Sequence, residues 1–402
     1  MEYRFLKRSP IYESLAERLQ PGPQLIQVIL GPRQVGKTTT LRTYLESHWA
    51  ERHLYFSADG PTPPTAKWLV EQWNLARQMH SKRKTHVIIA LDEVQKIPRW
   101  SEAIKACFDE DRYNKLKITP VLLGSSALMM EKGLSESLTG RFEVIHFPHW
   151  TLTEIEQAFG LHMKEFLLFG GYPASYSFVN DIDRWHSFVS EAIIETTVGR
   201  DILSLAPIEK PALLRQTFAL ACSYPAQILT YKKIMGQLVD AGNTTTIANY
   251  LSLLSKAFLI SPLQKWSSKP IRQRASSPKI IVLNNALISA TLKIKPEDIA
   301  KDSSLWGHVV ENAIGAHLLN SGLEVYYWRE RDLEVDFVVR DGKKIYAIET
   351  TIGEKNNSTK GLAAFQRKNP NSKAIVIGGV TSDFGVEDFL LSDPRMVLKG
   401  IK

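Results

Sequence analysis

The sequence predicts a multidomain α/β protein, and three observations support that prediction. The chain has 402 residues, more than the roughly 250–300 at which a single hydrophobic core stops growing. An apolar run, a loop containing glycines and a helix-like segment follow one another between Leu25 and Leu45. In the C-terminal quarter, helix-like and strand-like segments follow in the order α-β-β-β-α-β.

Composition and charge predict a cytoplasmic protein with no membrane partner. The 44% of hydrophobic and 23% of charged residues are ordinary for a soluble globular protein. No apolar run approaches the ~20 residues that span a bilayer, and the opening "MEYRFLKRSP" lacks the apolar stretch of a signal peptide. Cys107 and Cys222 make neither a disulfide framework nor a metal pattern. The net charge of +8 permits binding to nucleic acid without demonstrating it.

The loop after the first apolar run predicts a nucleotide site. Gly31, Gly36, Lys37 and Thr38 fit the pattern G-x-x-x-x-G-K-[ST]. Glycines let backbone N–H groups curl around phosphate oxygens, Lys37 reaches the β- and γ-phosphates, and the Thr38 hydroxyl binds Mg²⁺. We therefore expect ATP with Mg²⁺, although the sequence does not distinguish ATP from GTP. The residues expected to contact the nucleotide are Gly31, Pro32, Arg33, Gln34, Val35, Gly36, Lys37, Thr38 and Thr39.

An acidic pair follows the next buried strand. The run from Val87 to Leu91 is continuously apolar, as strands buried on both faces of a parallel sheet are. Asp92 and Glu93 come directly after it, 55 residues beyond Lys37. We expect Asp92 to hold Mg²⁺ directly or through water, and Glu93 to polarise the attacking water as a catalytic base.

Two further residues are candidates for contacts with the γ-phosphate. Ser125 follows the apolar run of residues 119–123 and would lie between Asp92 and that phosphate. Capping of the next helix by Ser125 or Ser126 is the alternative. Arg141 is a candidate charge stabiliser for the nucleotide of its own chain or of a neighbour in a homo-oligomer, and an ordinary surface arginine is the alternative.

Several segments together resemble one family of prokaryotic ATPases. The glycine loop, "LDEVQKIPRW", "GSS", "LTGR", and the later "FGGYPASY" and "TTVGRDIL" are similar to AAA+-type ATPases that carry a C-terminal domain of unknown function. The resemblance covers essentially the whole chain. It implies an AAA+-like P-loop domain with a parallel sheet in residues 1–160, a helical linker or lid in 161–225, a winged-helix-like domain in 226–295, and a nuclease-like domain in 296–402.

The middle of the chain is predicted to be helical at first. From Glu154 to about Tyr224 the pattern is mostly helical, with a break at "GGYP", residues 170–173. Residues 183–203 read as one long amphipathic helix. We interpret this region as a lid or linker that moves with nucleotide state, as gates do in other enzymes.

A helix-turn-helix pattern and a basic hairpin follow. A helix runs to about Val239, residues 240–243 form a turn, and Thr244 or Thr245 caps a second helix. Between residues 263 and 283 the sequence has five basic residues and no acidic one, namely Lys265, Lys269, Arg272, Arg274 and Lys279. Such a wing suits phosphate contacts with double-stranded DNA, and a spacer between proteins is an equal alternative.

The C-terminal segment resembles the PD-(D/E)XK nuclease fold, which belongs to the restriction-endonuclease-like α/β class. In that family, carboxylates from the first helix and two adjacent strands bind a divalent metal. The resemblance maps the helix carboxylate onto Glu311 and the two strand carboxylates onto Asp336 and Glu349. Three hard oxygen ligands suit Mg²⁺, so these residues form a second predicted metal site.

One position departs from the nuclease pattern. Thr351 stands where the family has a lysine, and threonine cannot supply positive charge to the reacting phosphate. Lys355 and Lys360 are candidates to take that role. Because only part of the phosphoryl-transfer apparatus is present, we favour a degenerate domain kept for binding or structure.

Three functional hypotheses follow. The first is an Mg²⁺-dependent ATP hydrolase whose nucleotide state controls the winged-helix and nuclease-like module. The second is a nucleotide-gated switch that binds DNA or protein with little turnover, and the third is a metal-dependent nuclease. Glu93 favours the first hypothesis over the second, and Thr351 disfavours the third.

Overall fold

The structure is a computed structural model of the 402-residue chain. It describes residues 6–20, 25–62, 64–203, 208, 210–238, 243–267, 276–351, 359–379 and 382–401. The chain divides into two compact units, Phe5–Pro148 and His149–Lys402. Within the described ranges, no helix combines the length and apolarity needed to cross a bilayer.

The unit Phe5–Pro148 is built on a five-stranded parallel sheet in the order β2-β3-β4-β1-β5. Three of these strands are buried along their whole length, which explains their largely apolar sequences. The strands are β1 (Ile26–Leu30), β2 (His53–Ser57), β3 (Val87–Asp92), β4 (Ile118–Leu123) and β5 (Phe142–His146). Since β4 lies between β1 and β3, the loops after these three strands meet at one edge of the sheet.

Helices connect and cover these strands. They are α1 (Ser9–Arg18), α2 (Lys37–His48), α3 (Ala66–Arg83), a 3₁₀ turn (Val94–Lys96), α4 (Trp100–Tyr113) and α5 (Ala127–Ser137). Helix α2 follows β1 directly after the glycine loop, so its N-terminus lies at the edge where the strands end.

The second unit opens with a helical region. It contains α6 (Leu152–Phe159), α7 (Met163–Phe169), a 3₁₀ helix (Pro173–Phe178), α8 (Ile182–Ser187), a 15-residue π-helix (Phe188–Ile202) and α9 (Pro211–Ser223). Helix α7 ends at the predicted Gly-Gly break. The predicted single α-helix over residues 183–203 is instead α8 continued by π-type hydrogen bonding, a pattern that the spacing of apolar residues does not distinguish.

A three-stranded antiparallel sheet in the order β6-β8-β7 follows. Its elements are β6 (Gln227–Ile228), α10 (Tyr231–Gln237), α11 (Thr244–Lys256), β7 (Ile260–Leu263) and β8 (Lys279–Val282). The predicted cap of α11 by Thr244 or Thr245 is wrong, because the Asn243 side chain accepts the hydrogen bond from the Thr246 N–H at 2.9 Å. The predicted turn residues 240–242 lie outside the described residues.

The C-terminal segment follows the predicted α-β-β-β-α-β order, with extra helices before and after it. After α12 (Asn285–Leu292) and α13 (Pro296–Lys301) come α14 (Ser303–Asn320), β9 (Glu324–Glu330), β10 (Leu333–Asp341), β11 (Lys344–Thr350), α15 (Thr359–Lys368), β12 (Ser372–Ile377), α16 (Val386–Leu391) and α17 (Pro394–Gly400). The sheet order is β12-β11-β10-β9, and only the β11–β12 pair is parallel.

A β-bulge interrupts β10. Val335 pairs with Trp328 and Val338 pairs with Tyr326, so β10 has one residue more than β9 over this stretch. Val335 and Val338 both pack in the hydrophobic cluster that contains residues of α15. Between them, Asp336 and Phe337 both contact Lys279 on the other side. The bulge therefore places two consecutive side chains on one face of the sheet.

Candidate functional site

The glycine loop has the backbone shape of a phosphate cradle. Gln34 and Gly36 both have left-handed backbone conformations, with φ of 58° and 85°. Gly36 is the N-cap of α2, so the free N–H groups and the positive end of the helix dipole lie at this loop. Gly31 has a different requirement, because a Cβ there would lie 2.2 Å from the Phe147 carbonyl oxygen.

Three predicted residues meet beside this loop. The Lys37 ammonium is buried and donates to the carbonyl oxygens of Gly31 at 3.0 Å and Pro32 at 2.6 Å. The Thr38 hydroxyl donates to Asp92 Oδ2 at 2.9 Å, and the Tyr55 hydroxyl donates to the same oxygen. A hydroxyl and a carboxylate in contact at a helix N-terminus form a hard-oxygen pair that fits Mg²⁺.

Glu93 stands next to this pair in a strained conformation. Its φ is 55°, and a left-handed non-glycine residue costs about 1–3 kcal/mol. Two donors converge on its Oε2 atom, Gln95 Nε2 at 2.6 Å and Ser125 Oγ at 2.9 Å. Ser126 occupies the N-cap of α5, yet its side chain makes no capping bond. Sequence reasoning missed Gln95, whose position two residues after Glu93 was the available signal.

Arg141 is engaged elsewhere in the same unit. Its Nε and Nη2 atoms donate to the two carboxylate oxygens of Asp109 at 2.8 and 2.9 Å. Asp109 lies on α4 and holds the guanidinium in a bidentate pair at the surface, with 28% of the Arg141 side chain exposed. The structure therefore does not bring Arg141 together with Lys37, Asp92 and Glu93.

This combination of fold and site is typical of a P-loop nucleotide-binding domain. The parallel sheet carries the glycine loop after β1 and the acidic pair after β3, with β4 between them. Residues 23–156 match the AAA domain family, so the chain carries an AAA-type P-loop ATPase domain. Residues 161–298 match a domain of unknown function (DUF8612), and residues 306–393 match another (DUF4143).

Several solved structures are similar to this chain. The Walker-type ATPase PABY2304 of Pyrococcus abyssi is 17% identical and aligns over 72% of this chain and 96% of its own, with a TM-score of 0.49. The Aeropyrum pernix ORC1 protein in complex with DNA is 14% identical over 72% and 93%, with a TM-score of 0.32. AMPPCP-bound DnaA from Aquifex aeolicus is 16% identical over 63% and 89%, with a TM-score of 0.33. Among curated proteins, none matches the sequence significantly.

The second predicted metal site contains a lysine. Glu311 on α14 and Asp336 on β10 come together as expected, but the ammonium of Lys279 lies between them. Its Nζ atom is 2.5 Å from Glu311 Oε1, 3.3 Å from Asp336 Oδ1 and 3.5 Å from Glu334 Oε1. In the described part of the chain, no group of three His, Cys, Asp or Glu side chains is arranged to hold a metal. The residues therefore do not fit the divalent ion that the nuclease resemblance implies.

The charges in this cluster depend on one another. Burial alone would lower the pKa of Lys279, but the charges of Glu311, Asp336 and Glu334 raise it well above its usual value. Burial would raise the pKa of Asp336, while Lys279 and hydrogen bonds from Thr350 hold it below its usual range. Burial and the charge of Asp336 raise the pKa of Glu349 to about 9. Glu349 is thus protonated at neutral pH and is a poor metal ligand in that form.

The neighbouring threonines have different roles. Thr350 donates from its backbone N–H and its hydroxyl to Asp336 Oδ2 at 2.9 and 2.7 Å. Thr351, at the position of the expected lysine, accepts a hydrogen bond from the Gly379 N–H at 3.0 Å. Lys355, a candidate replacement for that lysine, lies outside the described residues.

The predicted basic wing is only partly described. Lys269, Arg272 and Arg274 lie outside the described residues. Lys265 is half-buried and forms an isolated bridge with Tyr327 on β9. The prediction that Lys279 contacts DNA is wrong, because this side chain is 1% exposed. As the first residue of β8, Lys279 belongs to the sheet, and its side chain extends over the Phe337 ring toward the carboxylates.

Proposed function

We propose that this protein binds ATP with Mg²⁺ and hydrolyses it. The observation that carries the proposal is the contact of Thr38 with Asp92 beside the glycine loop, with Glu93 next in the chain. A hydroxyl and a carboxylate from two different elements share one point at the end of the phosphate cradle. The burial of the strands does not require the Thr38 hydroxyl and the Asp92 carboxylate to meet. The binding of Mg²⁺ with a nucleotide does require it.

Each residue then has a chemical role. The loop N–H groups and Lys37 bind the phosphate oxygens and reduce their mutual repulsion. Mg²⁺, held by Thr38 and Asp92, would neutralise charge on the β- and γ-phosphates when bound. Glu93 orients a water and accepts its proton as that water attacks the γ-phosphorus. Ser125 and Gln95 fix the position of the Glu93 carboxylate through its Oε2 atom.

The second candidate is a nucleotide-gated switch with little turnover. It is favoured by the two hydrogen bonds that converge on Glu93 Oε2, from Gln95 and Ser125. Both bonds occupy the carboxylate oxygen that a catalytic base would use to accept a proton from water. In this candidate the protein binds ATP, changes its affinity for DNA or protein, and releases the nucleotide largely intact.

We further propose that the nucleotide state controls a winged-helix-like and nuclease-like module. The succession of α9, β6, α10, α11, β7 and β8, with β8 central in its sheet, supports the winged-helix description. The basic residues Lys265, Lys269, Arg272 and Arg274 support double-stranded DNA as a partner. A working nuclease is not proposed, because Lys279 lies among the carboxylates that such chemistry needs for metal.

The test is ATP turnover by the purified chain, with and without double-stranded DNA. Glu93→Gln is expected to retain ATP binding and to lose a factor of about 10²–10⁴ in hydrolysis, the usual contribution of a positioned base. Lys37→Ala is expected to weaken binding itself. Glu102→Gln, an exposed glutamate on α4 paired with Arg99, is the control. Wild-type turnover by Glu93→Gln would refute the base assignment, and tight binding by a wild type without turnover would favour the switch.

A further inference from the structure

The ammonium of Lys279 has the surroundings that a bound cation would have. Its Nζ atom lies 2.5–3.5 Å from side-chain oxygens of Glu311, Glu334 and Asp336, and 3.3 Å from the Asp336 carbonyl oxygen. These oxygens come from α14 and from β10. An ammonium has three N–H donors, and the carboxylates around it provide enough acceptors for all three.

The fold holds this lysine in place at both ends of its side chain. Its backbone pairs with Leu263 on β7 and with Ile228 on β6. Its ammonium lies 5.1 Å from the centre of the Phe337 ring, and only 1% of the side chain is exposed. The β10 bulge presents Asp336 and Phe337 on the same face. Both the carboxylate and the aromatic ring that contact Lys279 therefore depend on this bulge.

We propose that Lys279 is the resident cation of the C-terminal carboxylate cluster, so that this cluster binds no divalent metal while the lysine is in place. A lysine that assists a metal-bound reaction would stand beside the carboxylate oxygens that hold the metal. Lys279 instead contacts the oxygens of Glu311 and Asp336 that a divalent ion would use. A second cation among these oxygens would be repelled by the ammonium at close range.

The hydrogen bonds of the cluster also show which carboxyl oxygens are already bonded and which one is not. Asp336 Oδ2 is already taken by two bonds from Thr350, and Asp336 Oδ1 by Lys279. One carboxyl oxygen of Glu349 is buried without a hydrogen-bond partner in this structure. If Lys279 is replaced by an uncharged residue, the negative charge left on Glu311 and Asp336 attracts a cation. A rearrangement of these side chains with Glu349 would then supply hard oxygen ligands of the kind that Mn²⁺ and Mg²⁺ prefer.

The experiment measures Mn²⁺ binding to the full-length, nucleotide-free protein by electron paramagnetic resonance of free Mn²⁺. All proteins carry Asp92→Asn, which removes the acidic ligand of the first unit. We expect no Mn²⁺ bound by the Lys279-containing chain, and about one Mn²⁺ per chain in Lys279→Met. The added change Asp336→Asn should abolish that gain. Lys301→Met, which removes an exposed lysine outside the cluster, should behave like the parent.

Thermal unfolding provides a second readout. Lys279→Met should unfold at a lower temperature than the parent, and Mn²⁺ should raise that temperature again, because ligands that bind only the folded state stabilise it. Mn²⁺ should leave the unfolding temperature of the parent unchanged. No gain of binding in a folded Lys279→Met would overturn the proposal.

The proposal stays testable if Lys279→Met does not fold. The parent and its Glu311→Gln variant are then compared directly for Mn²⁺ binding. Equal, negligible binding by both supports a site filled by lysine. One Mn²⁺ bound by the parent and lost in Glu311→Gln would overturn the proposal and show that metal and lysine occupy the cluster together.

Discussion

Asp92 shares one carboxylate oxygen between two hydroxyl groups, and this sharing bears on how it binds Mg²⁺. Thr38 and Tyr55 both donate to Oδ2, while the Glu93 N–H donates to Oδ1 at 2.9 Å. Burial and the contact with Asp92 raise the pKa of Tyr55 well above its usual value, so Tyr55 remains a donor. Tyr55 therefore acts as a positioning residue for the proposed metal ligand.

We predict that Tyr55→Phe raises the Mg²⁺ concentration needed for half-maximal ATP turnover by about fivefold, which corresponds to about 1 kcal/mol for one hydrogen bond. The maximal rate at saturating Mg²⁺ should change less. Tyr12→Phe, a buried tyrosine on α1 that contacts Tyr44, is the control. Equal Mg²⁺ dependence in Tyr55→Phe and wild type would show that the contact does not position Asp92.

Glu349 makes a pH-dependent contribution to stability. Its ordinary pKa is 4.5, and burial followed by the charge of Asp336 raises the value in the folded protein to about 9. Between these values the unfolded carboxyl ionises while the folded one retains its proton. Its contribution is therefore fully favourable below the unfolded pKa and is lost as the pH rises toward the folded one.

Glu349→Gln keeps the shape of the protonated side chain and cannot ionise. We predict that its gain in unfolding temperature over wild type increases from about pH 5 to about pH 8, since the pH-dependent loss is at most about 1.4 kcal/mol per pH unit. Calorimetry at several pH values measures this difference. Glu387→Gln changes an exposed glutamate of α16 and serves as the control. A difference that shrinks with pH would contradict the raised pKa.

For single residues, the sequence predicts site residues that belong to a motif of fixed spacing. It does not predict residues whose partners lie far away in the chain. Lys37 and Thr38 follow from one continuous motif, and the position of Asp92 from the end of an apolar strand. Gln95 has no motif of its own, because its role comes from the turn that brings its amide to Glu93. Lys279 was placed on a basic hairpin by local charge alone, since nothing local shows that three distant carboxylates surround it.

Helices α6 and α7 both end at a glycine, but the atoms packed around the two glycines differ. Both glycines have positive φ. Gly160 is left-handed helical, with φ of 66° and ψ of 27°, whereas Gly170 has φ of 70° and ψ of −159°, a region that essentially only glycine adopts. A Cβ on Gly160 would meet no atom within 4 Å. A Cβ on Gly170 would lie 2.0 Å from Asn284 Oδ1 and 2.4 Å from the Ala286 nitrogen.

Replacing Gly160 and Gly170 by alanine in turn tests this difference. Gly160→Ala should cost about 1 kcal/mol, the penalty for a non-glycine residue in the left-handed region. Gly170→Ala should cost about 2–4 kcal/mol, because its backbone region is essentially restricted to glycine and because the methyl group displaces the Asn284 side chain that accepts from the Gly171 N–H. Denaturant unfolding of both variants gives the comparison. Equal losses would show that neither the backbone region of Gly170 nor its contact with Asn284 adds to the cost.

Helices and strands can be predicted from the sequence where their pattern of buried residues is regular, including strands that are buried at every position. β1, β3 and β4 are buried throughout and are largely apolar in sequence, although Gln27 and Thr119 are buried polar residues within them. The π-helix was not predictable, because α- and π-type bonding bury similar apolar spacings. The β10 bulge was not predictable either, since Val335 and Val338 both face one cluster although strict alternation would place them on opposite faces.

At the scale of the whole molecule, Arg141 bears on whether a second chain contributes to the proposed nucleotide site. Arg141 was a candidate to act on its own nucleotide or on that of a neighbour, and it is bound to Asp109 on α4. Its guanidinium is held at the surface by Asp109 and does not meet Glu93 within the unit. We propose that it acts on a neighbour's nucleotide in a homo-oligomer, and an ordinary surface arginine is the alternative. Arginine suits this role because it keeps its charge and presents a planar fork to phosphate oxygens.

We predict that ATP turnover per chain increases with protein concentration and that Arg141→Ala reduces it by about 10³-fold or more, as for other arginines that stabilise phosphoryl transfer. Mixing Arg141→Ala with Lys37→Ala should partly restore activity, because the first variant supplies an intact nucleotide loop and the second an intact arginine. Arg83→Ala removes a surface arginine paired with Glu51 and should not change the rate. A rate per chain that is independent of concentration, with no recovery in the mixture, would leave Arg141 either acting within its own chain or outside the reaction.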